Sequence, residues 1–203
     1  MGGMISQTMA ILHPSRILSL TSIMSTTGQL NLADGDLSIT LKLLKKPANT
    51  EEARITNSVA VLTAISRPCP PGTDLKQYVT DSIRRSFHPV GAGRQINAIL
   101  AQEDRRDKLK LLTMPCAVIH GRDDRLVKLE HGLATKAAID AGSTNEDNKC
   151  NLVVVDGMAH YLNREFYGVI TGAILENVNR VKGWKSDREE AAVGVEDVGV
   201  KLE

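Results

Sequence analysis

The segment Asn151-Leu-Val-Val-Val-Asp-Gly-Met-Ala-His160 constrains this chain more than any other. A leucine followed by three valines, with no polar residue between them, reads as a strand covered on both faces. Strands of parallel sheets are buried in that way and lose the apolar–polar alternation of half-exposed strands. Asp156-Gly157 ends the run, and Gly157 permits a turn that a side chain would obstruct. His160 then falls just beyond the carboxyl end of the strand, where open α/β sheets place ligands and catalytic groups. Imidazole is the side chain best matched to moving protons near neutral pH.

Two further segments read as strands. Ile17 to Met24 is β-rich and mostly apolar, and Pro115-Cys-Ala-Val-Ile-His120 is short and buried, with Gly121-Arg-Asp-Asp124 at its carboxyl end. Ile5–His13 is apolar on most sides, which suggests a buried helix, stopped by Pro14. Residues 26–112 form a mostly helical insertion. Asn49 with Glu52 resembles a capping box, and Ile55, Val59, Leu62 and Ile65 follow at helical spacing. Pro68 to Gly72 breaks that helix. Leu75, Val79, Ile83 and Phe87 make a second apolar stripe, and Gly91-Ala-Gly93 opens a third helix through Ile96, Ile99 and Leu100. Residues 128–141 read as an amphipathic helix with Leu129, Leu133 and Ala137 on one face, and Ser143–Lys149 as a polar loop. Phe166, Ile170, Ile174 and Val178 mark a last helix reaching about Trp184. Residues 185–203 are charged and lack aromatics, the pattern of a disordered tail.

At 203 residues, 42% hydrophobic and 24% charged, the chain has the composition of a soluble globular domain with a sizeable core. A net charge of +1 gives no reason to expect a nucleic acid or an anionic membrane as partner. No apolar run approaches the ~20 residues that span a bilayer. No secretory signal is evident. Cys69, Cys116 and Cys150 are too few and too scattered for a disulfide framework or a zinc site. A cytoplasmic, reducing environment is the expectation, with no metal.

The order strand, helical insertion, strand–Asp, helix, strand–His is that of the acid and base of a catalytic triad. A buried carboxylate fixes the tautomer of the histidine and stabilises the imidazolium formed during reaction. Asp124 and His160 stand 36 positions apart, each after its own strand, so adjacent parallel strands would bring them within hydrogen-bonding reach.

These motifs resemble the α/β-hydrolase superfamily, in particular its aclacinomycin-methylesterase-like branch. Ile119-His-Gly-Arg-Asp-Asp124 is similar to the family's H-G-x-x-D acid loop, which implies the triad role for Asp124 rather than Asp123. Gly157-Met-Ala-His160 is similar to its G-M-x-H loop, with His160 as base. Leu20 to Gly28 looks like the strand after the nucleophile. Met1-Gly-Gly-Met-Ile-Ser-Gln7 looks like the second half of a G-x-S-M-G-G-M-I-x-Q nucleophile elbow. The resemblance covers roughly residues 1–183. It implies the C-terminal part of an α/β-hydrolase fold: three parallel strands with flanking helices and a helical cap. Residues 1–25 and 113–184 would form the core, 26–112 the cap or lid, and 185–203 the tail.

In the family pattern the nucleophile serine lies immediately before the position of Met1, whose backbone N–H donates to the oxyanion. The chain as written lacks that serine. Ser6, Ser15 and Ser25 lie in no elbow, and a terminal Met1 would carry an ammonium group in place of the amide. The expectation is therefore an N-terminally truncated chain. The strand now at the edge, about 17–24, would lose its neighbour, and Met4, Ile5, Met9 and Leu12 would be exposed in part. The resemblance implies a serine-type hydrolase of small-molecule carboxylic esters, needing no cofactor. The alternative is a catalytically inactive fragment, or a ligand- or protein-binding remnant.

Overall fold

Among the described residues, three parallel strands form one sheet, in the order β1 (Leu20–Ile23), β2 (Cys116–Gly121), β3 (Asn151–Val155). The structure is a computed structural model and describes residues 1–66, 74–144 and 149–182. The Pro68–Gly72 break, part of the Ser143–Lys149 loop and the 185–203 tail lie outside these residues. In register, Leu20 faces Cys116 and Ile23 faces Ile119, while Ala117 faces Asn151 and Gly121 faces Val155. β2 is central, and all six of its residues are buried. That is why its sequence shows no alternation. β1 is shorter than the apolar run suggests. Pairing begins at Leu20, and Leu18 is largely exposed.

The two faces of the sheet carry separate apolar clusters. On one, Leu20, Cys116 and Val118 pack with Ala10 of α1 (Gly2–Leu12) and with Ala138 and Ile139 of α7 (Leu129–Asp140). Leu109 of α6 (Arg106–Leu109) and Leu112 join the same cluster, so the end of the insertion packs with the sheet. On the other face, Ile119, Val155 and Met158 pack with Ile170 and Ala173 of α8 (Tyr167–Asn179). α8 ends before the Trp184 that the apolar stripe suggested.

The insertion contains α2 (Leu37–Leu43), α3 (Glu51–Ile65), α4 (Leu75–Arg85) and α5 (Pro89–Leu100). α3 is capped by Thr50, not Asn49: the Thr50 hydroxyl accepts the Ala53 N–H at 3.3 Å. α5 starts at Pro89, two residues before Gly91. Pro suits a first helical turn because its missing N–H would have no partner there.

The expected face of α7 is corrected. Leu133 and Ala137 are exposed, and Gly132, Thr135, Ala138 and Ile139 face the core. The helix lies so close to β2 that a Cβ at Gly132 would stand 2.7 Å from the His120 ring. Small residues therefore take the inner face and a leucine is left outside. α1 is not the buried helix its apolar sequence suggests: it meets the sheet through Gln7 and Ala10, both fully buried, whereas Ile5, Met9 and Leu12 are exposed. Among the described residues, β1 has one strand neighbour, β2.

Candidate active site

The site is built where β2 and β3 end. Gly121 closes β2, and the next two residues are stitched to the loop after β3: Arg122 N–H donates to Val155 O and Asp123 N–H to Met158 O, both at 3.0 Å. Gly121 permits this approach. A Cβ there would lie 2.2 Å from the Met158 carbonyl oxygen, well inside contact distance. Gly157 turns the chain with φ +82°, a left-handed conformation that favours glycine. The paired loops thus arise from two glycines, one closing the fully buried β2 and one just after β3, whose residues before Val155 are only partly buried and not covered on both faces as its apolar run suggested.

Asp124 sits at the centre of this arrangement, with its side chain fully buried. Its Oδ1 accepts the N–H groups of Leu126 (2.9 Å) and Val127 (2.8 Å) in a tight turn. Its Oδ2 accepts from His160 Nδ1 at 2.7 Å. A carboxylate only accepts, so His160 carries its proton on Nδ1 and presents a lone pair at Nε2. Nε2 has no hydrogen-bond partner among the described residues, and the ring is one-fifth exposed. The geometry is that of an imidazole fixed at one nitrogen and available at the other. It can accept a proton at Nε2 and hold the resulting cation against Asp124.

A second histidine, to which the sequence reading assigned no role, completes the surroundings. His120, on β2, is fully buried, and its Nε2 lies 2.7 Å from Val127 O and 3.7 Å from Asp124 Oδ2. Burial pushes its pKa below the ordinary value, against the opposing pull of the Val127 carbonyl and Asp124. The contact with Asp124 is therefore one of a neutral ring beside a carboxylate rather than an ion pair. The signal in the sequence was an ionisable residue inside an otherwise apolar run.

The insertion touches the site through its first residues. Asp36 N–H donates to Arg125 O at 2.8 Å, and its carboxylate accepts from Arg125 Nε at 2.6 Å. A cavity of about 660 Å³ opens between the end of α3 and the loop after β2, lined by Thr63, Ser66, Asp123, Arg125, Lys128 and Ala159 among others. His160 is not among its lining residues. Met1 lines a different cavity, with Met4, Ile5 and Ile99.

Behind the site runs a buried polar network that the sequence did not reveal. Gln7 Nε2 donates to Ser22 Oγ at 3.0 Å, and Arg105 Nε donates to Gln7 Oε1 at 3.1 Å. Arg105 Nη2 donates to Thr26 O at 2.7 Å. Thr26 Oγ1 in turn lies 2.9 Å from His131 Nδ1 on α7. The network joins α1, β1, the end of the insertion and α7. Among the described residues there is no cluster of His, Cys, Asp or Glu that could hold a metal ion, and no helix long and apolar enough to cross a membrane.

A central parallel sheet with helices on both faces is an α/β architecture, and the solved structures it matches have the α/β-hydrolase fold. The chain is similar to an esterase, RhEst1, from Rhodococcus sp. ECU1013 (TM-score 0.66, 13% identity, 88% of this chain and 62% of that one). It is also similar to the meta-cleavage product hydrolase CumD from Pseudomonas fluorescens IP01 (0.61, 18%, 87% and 61%). A third is the enol-lactonase from Burkholderia xenovorans LB400 (0.60, 18%, 88% and 62%). The chain thus spans about three fifths of the length of each. No family model and no curated protein matches the sequence.

Proposed function

We propose that residues 1–203 carry the acid and base of a serine-type carboxylic ester hydrolase, with His160 as general base and Asp124 as its orienting acid. The observation that carries this reading is the 2.7 Å bond from His160 Nδ1 to Asp124, with Nε2 left free of partners among the described residues. In the family pattern the nucleophile serine stands immediately before the position of Met1. The reaction therefore belongs to a chain that carries a serine there. Its hydroxyl attacks the ester carbonyl as its proton passes to His160 Nε2. The Met1 amide N–H, then internal, is one of two donors to the oxyanion. The imidazolium returns the proton to the leaving alkoxide. Water, deprotonated by the same nitrogen, then releases the acid and restores the serine.

The likeness to an esterase and an enol-lactonase supports an ester as substrate. We assign the roof of the substrate pocket to the helices of the insertion, 26–112, whose first residues are tied to the acid loop through Asp36. The resemblance of the motifs favours the aclacinomycin-methylesterase-like branch and a small-molecule substrate, and the few, scattered cysteines a cytoplasmic setting.

The test is hydrolysis of p-nitrophenyl esters combined with fluorophosphonate labelling. A chain with Gly-x-Ser ahead of Met1 hydrolyses the ester and is labelled at that serine, and His160→Ala abolishes turnover. The polypeptide of residues 1–203 alone gives no more turnover than its His160→Ala variant. Clear His160-dependent turnover by that polypeptide would assign the nucleophile to another residue and overturn the reading.

A further inference from the structure

We infer that His120 is a positioning residue: as a neutral Nε2–H tautomer it holds the 124–127 turn through the Val127 carbonyl and so aims Asp124 at His160. The inference rests on the reading of Asp124 and His160 as acid and base.

The tautomer follows from the neighbours. Val127 O and Asp124 Oδ2 are both acceptors, at 2.7 and 3.7 Å from Nε2, so that nitrogen must carry the proton. The other nitrogen, Nδ1, is buried without a hydrogen-bond partner among the described residues. It lies against α7 at Gly132, where a Cβ would come within 2.7 Å. A proton on Nδ1 would be buried with no acceptor among the described residues.

The consequences run through one short stretch of backbone. The His120 Nε2–H fixes the carbonyl of Val127. The N–H of the same residue donates to Asp124 Oδ1 at 2.8 Å, beside that of Leu126 at 2.9 Å. With Oδ1 held by two donors, Oδ2 is left for His160 Nδ1. Remove the His120 donor and the 127–128 peptide loses its anchor, which loosens the backbone at Val127 and with it the 126–127 N–H that donates to Asp124. The carboxylate then loses the constraint that selects the oxygen facing His160. Gly132 is part of the same device, because any side chain there would push the ring off Val127.

Long-range ¹H–¹⁵N correlation spectra of the 203-residue chain read both histidine tautomers directly, without need of a nucleophile or substrate. In the wild type and in His120→Gln, which keeps an N–H donor near the Nε2 position, His160 is expected in the Nδ1–H form with its low-field proton visible. In His120→Met, which has no donor, His160 is expected as a mixture of tautomers with that proton lost. Gly132→Ala, which displaces the ring, is expected to shift His160 in the same direction. A His120→Met protein that keeps the wild-type His160 pattern overturns the inference. If His120→Met does not fold, an unchanged His160 pattern in Gly132→Ala overturns it. A wild type that lacks the Nδ1–H form of His160 would instead sink the acid–base reading itself. In a chain bearing the serine, His120→Met is expected to lower kcat on the order of 10²-fold with KM unchanged, the scale of a misplaced catalytic group. His120→Gln should restore most of it, which a merely structural loss would not allow.

Discussion

The carbonyl oxygen of Met158 closes over the α-carbon of Gly121, at a point where a Cβ would stand 2.2 Å away. This approach lets the loop after β2 and the loop after β3 share backbone hydrogen bonds, and so brings Asp124 to His160. Gly121→Ala is expected to force the loops apart and destabilise the protein by about 1–3 kcal/mol, the range for overpacked positions. Urea unfolding monitored by circular dichroism measures it. A midpoint equal to that of the wild type would show that the loops part without cost.

Asn177 ties α8 to the opposite end of the sheet. It is fully buried, and its Nδ2 donates to Leu20 O at 3.0 Å and Thr21 Oγ1 at 3.2 Å. Asn177→Ala removes these donors from a fully buried site. A loss of about 1–3 kcal/mol in urea unfolding is expected, as for other buried polar groups deprived of partners. A loss below about 0.5 kcal/mol, the level of an ordinary surface change, would contradict this role.

How much of this was legible follows from where the signals lie. Asp124 and His160 were readable because each follows a continuous apolar strand and a glycine, and both strand and turn are local patterns. The inner face of α7 was not. Its closest contact with the sheet is Gly132, which carries no hydropathic signal, while Leu133 carries a strong one and is exposed. The cap of α3 was misplaced by one residue because Asn49 and Thr50 are both good capping residues, and only the chain's path chooses between them. Gln7 and Arg105 are 98 positions apart, and nothing in a single sequence pairs two polar residues across that distance. His120 was quoted within a motif without a role, since its effect passes through the Val127 backbone and not through a side chain.

Cys116 and Cys150 are buried, and burial pushes each thiol up to about 12. The thiolate is the reactive form, so neither should be alkylated in the native state at mildly alkaline pH. Iodoacetamide followed by peptide mass spectrometry is expected to find both unmodified in buffer and both modified in urea. Labelling of either in the native protein would contradict the burial.

Stability should depend on pH through His120. Its pKa is lowered from the ordinary 6.5 by burial; Val127 O and Asp124 pull it up, and His160 and His131 push it down. Below pH 6.5 the unfolded chain takes up a proton that the native ring refuses, so stability is full above that value and falls with pH toward the lowered native one. Urea midpoints across this window should decline more steeply for the wild type than for His120→Gln. Parallel slopes would show that His120 does not titrate differently in the two states.

The Asp124–His160 pair is tested most directly by the turnover of Asp124→Asn on a p-nitrophenyl ester, in a chain bearing the family's serine ahead of Met1. An amide at 124 can donate to His160 Nδ1 and so favours the tautomer with its lone pair on the wrong nitrogen. The expected loss in kcat is about 10⁴-fold, the scale of the corresponding change in a serine–histidine–aspartate triad. An Asp124→Asn enzyme that keeps kcat within about tenfold of the wild type, while His160→Ala is inactive, would contradict the assignment of Asp124 as the acid that orients the base.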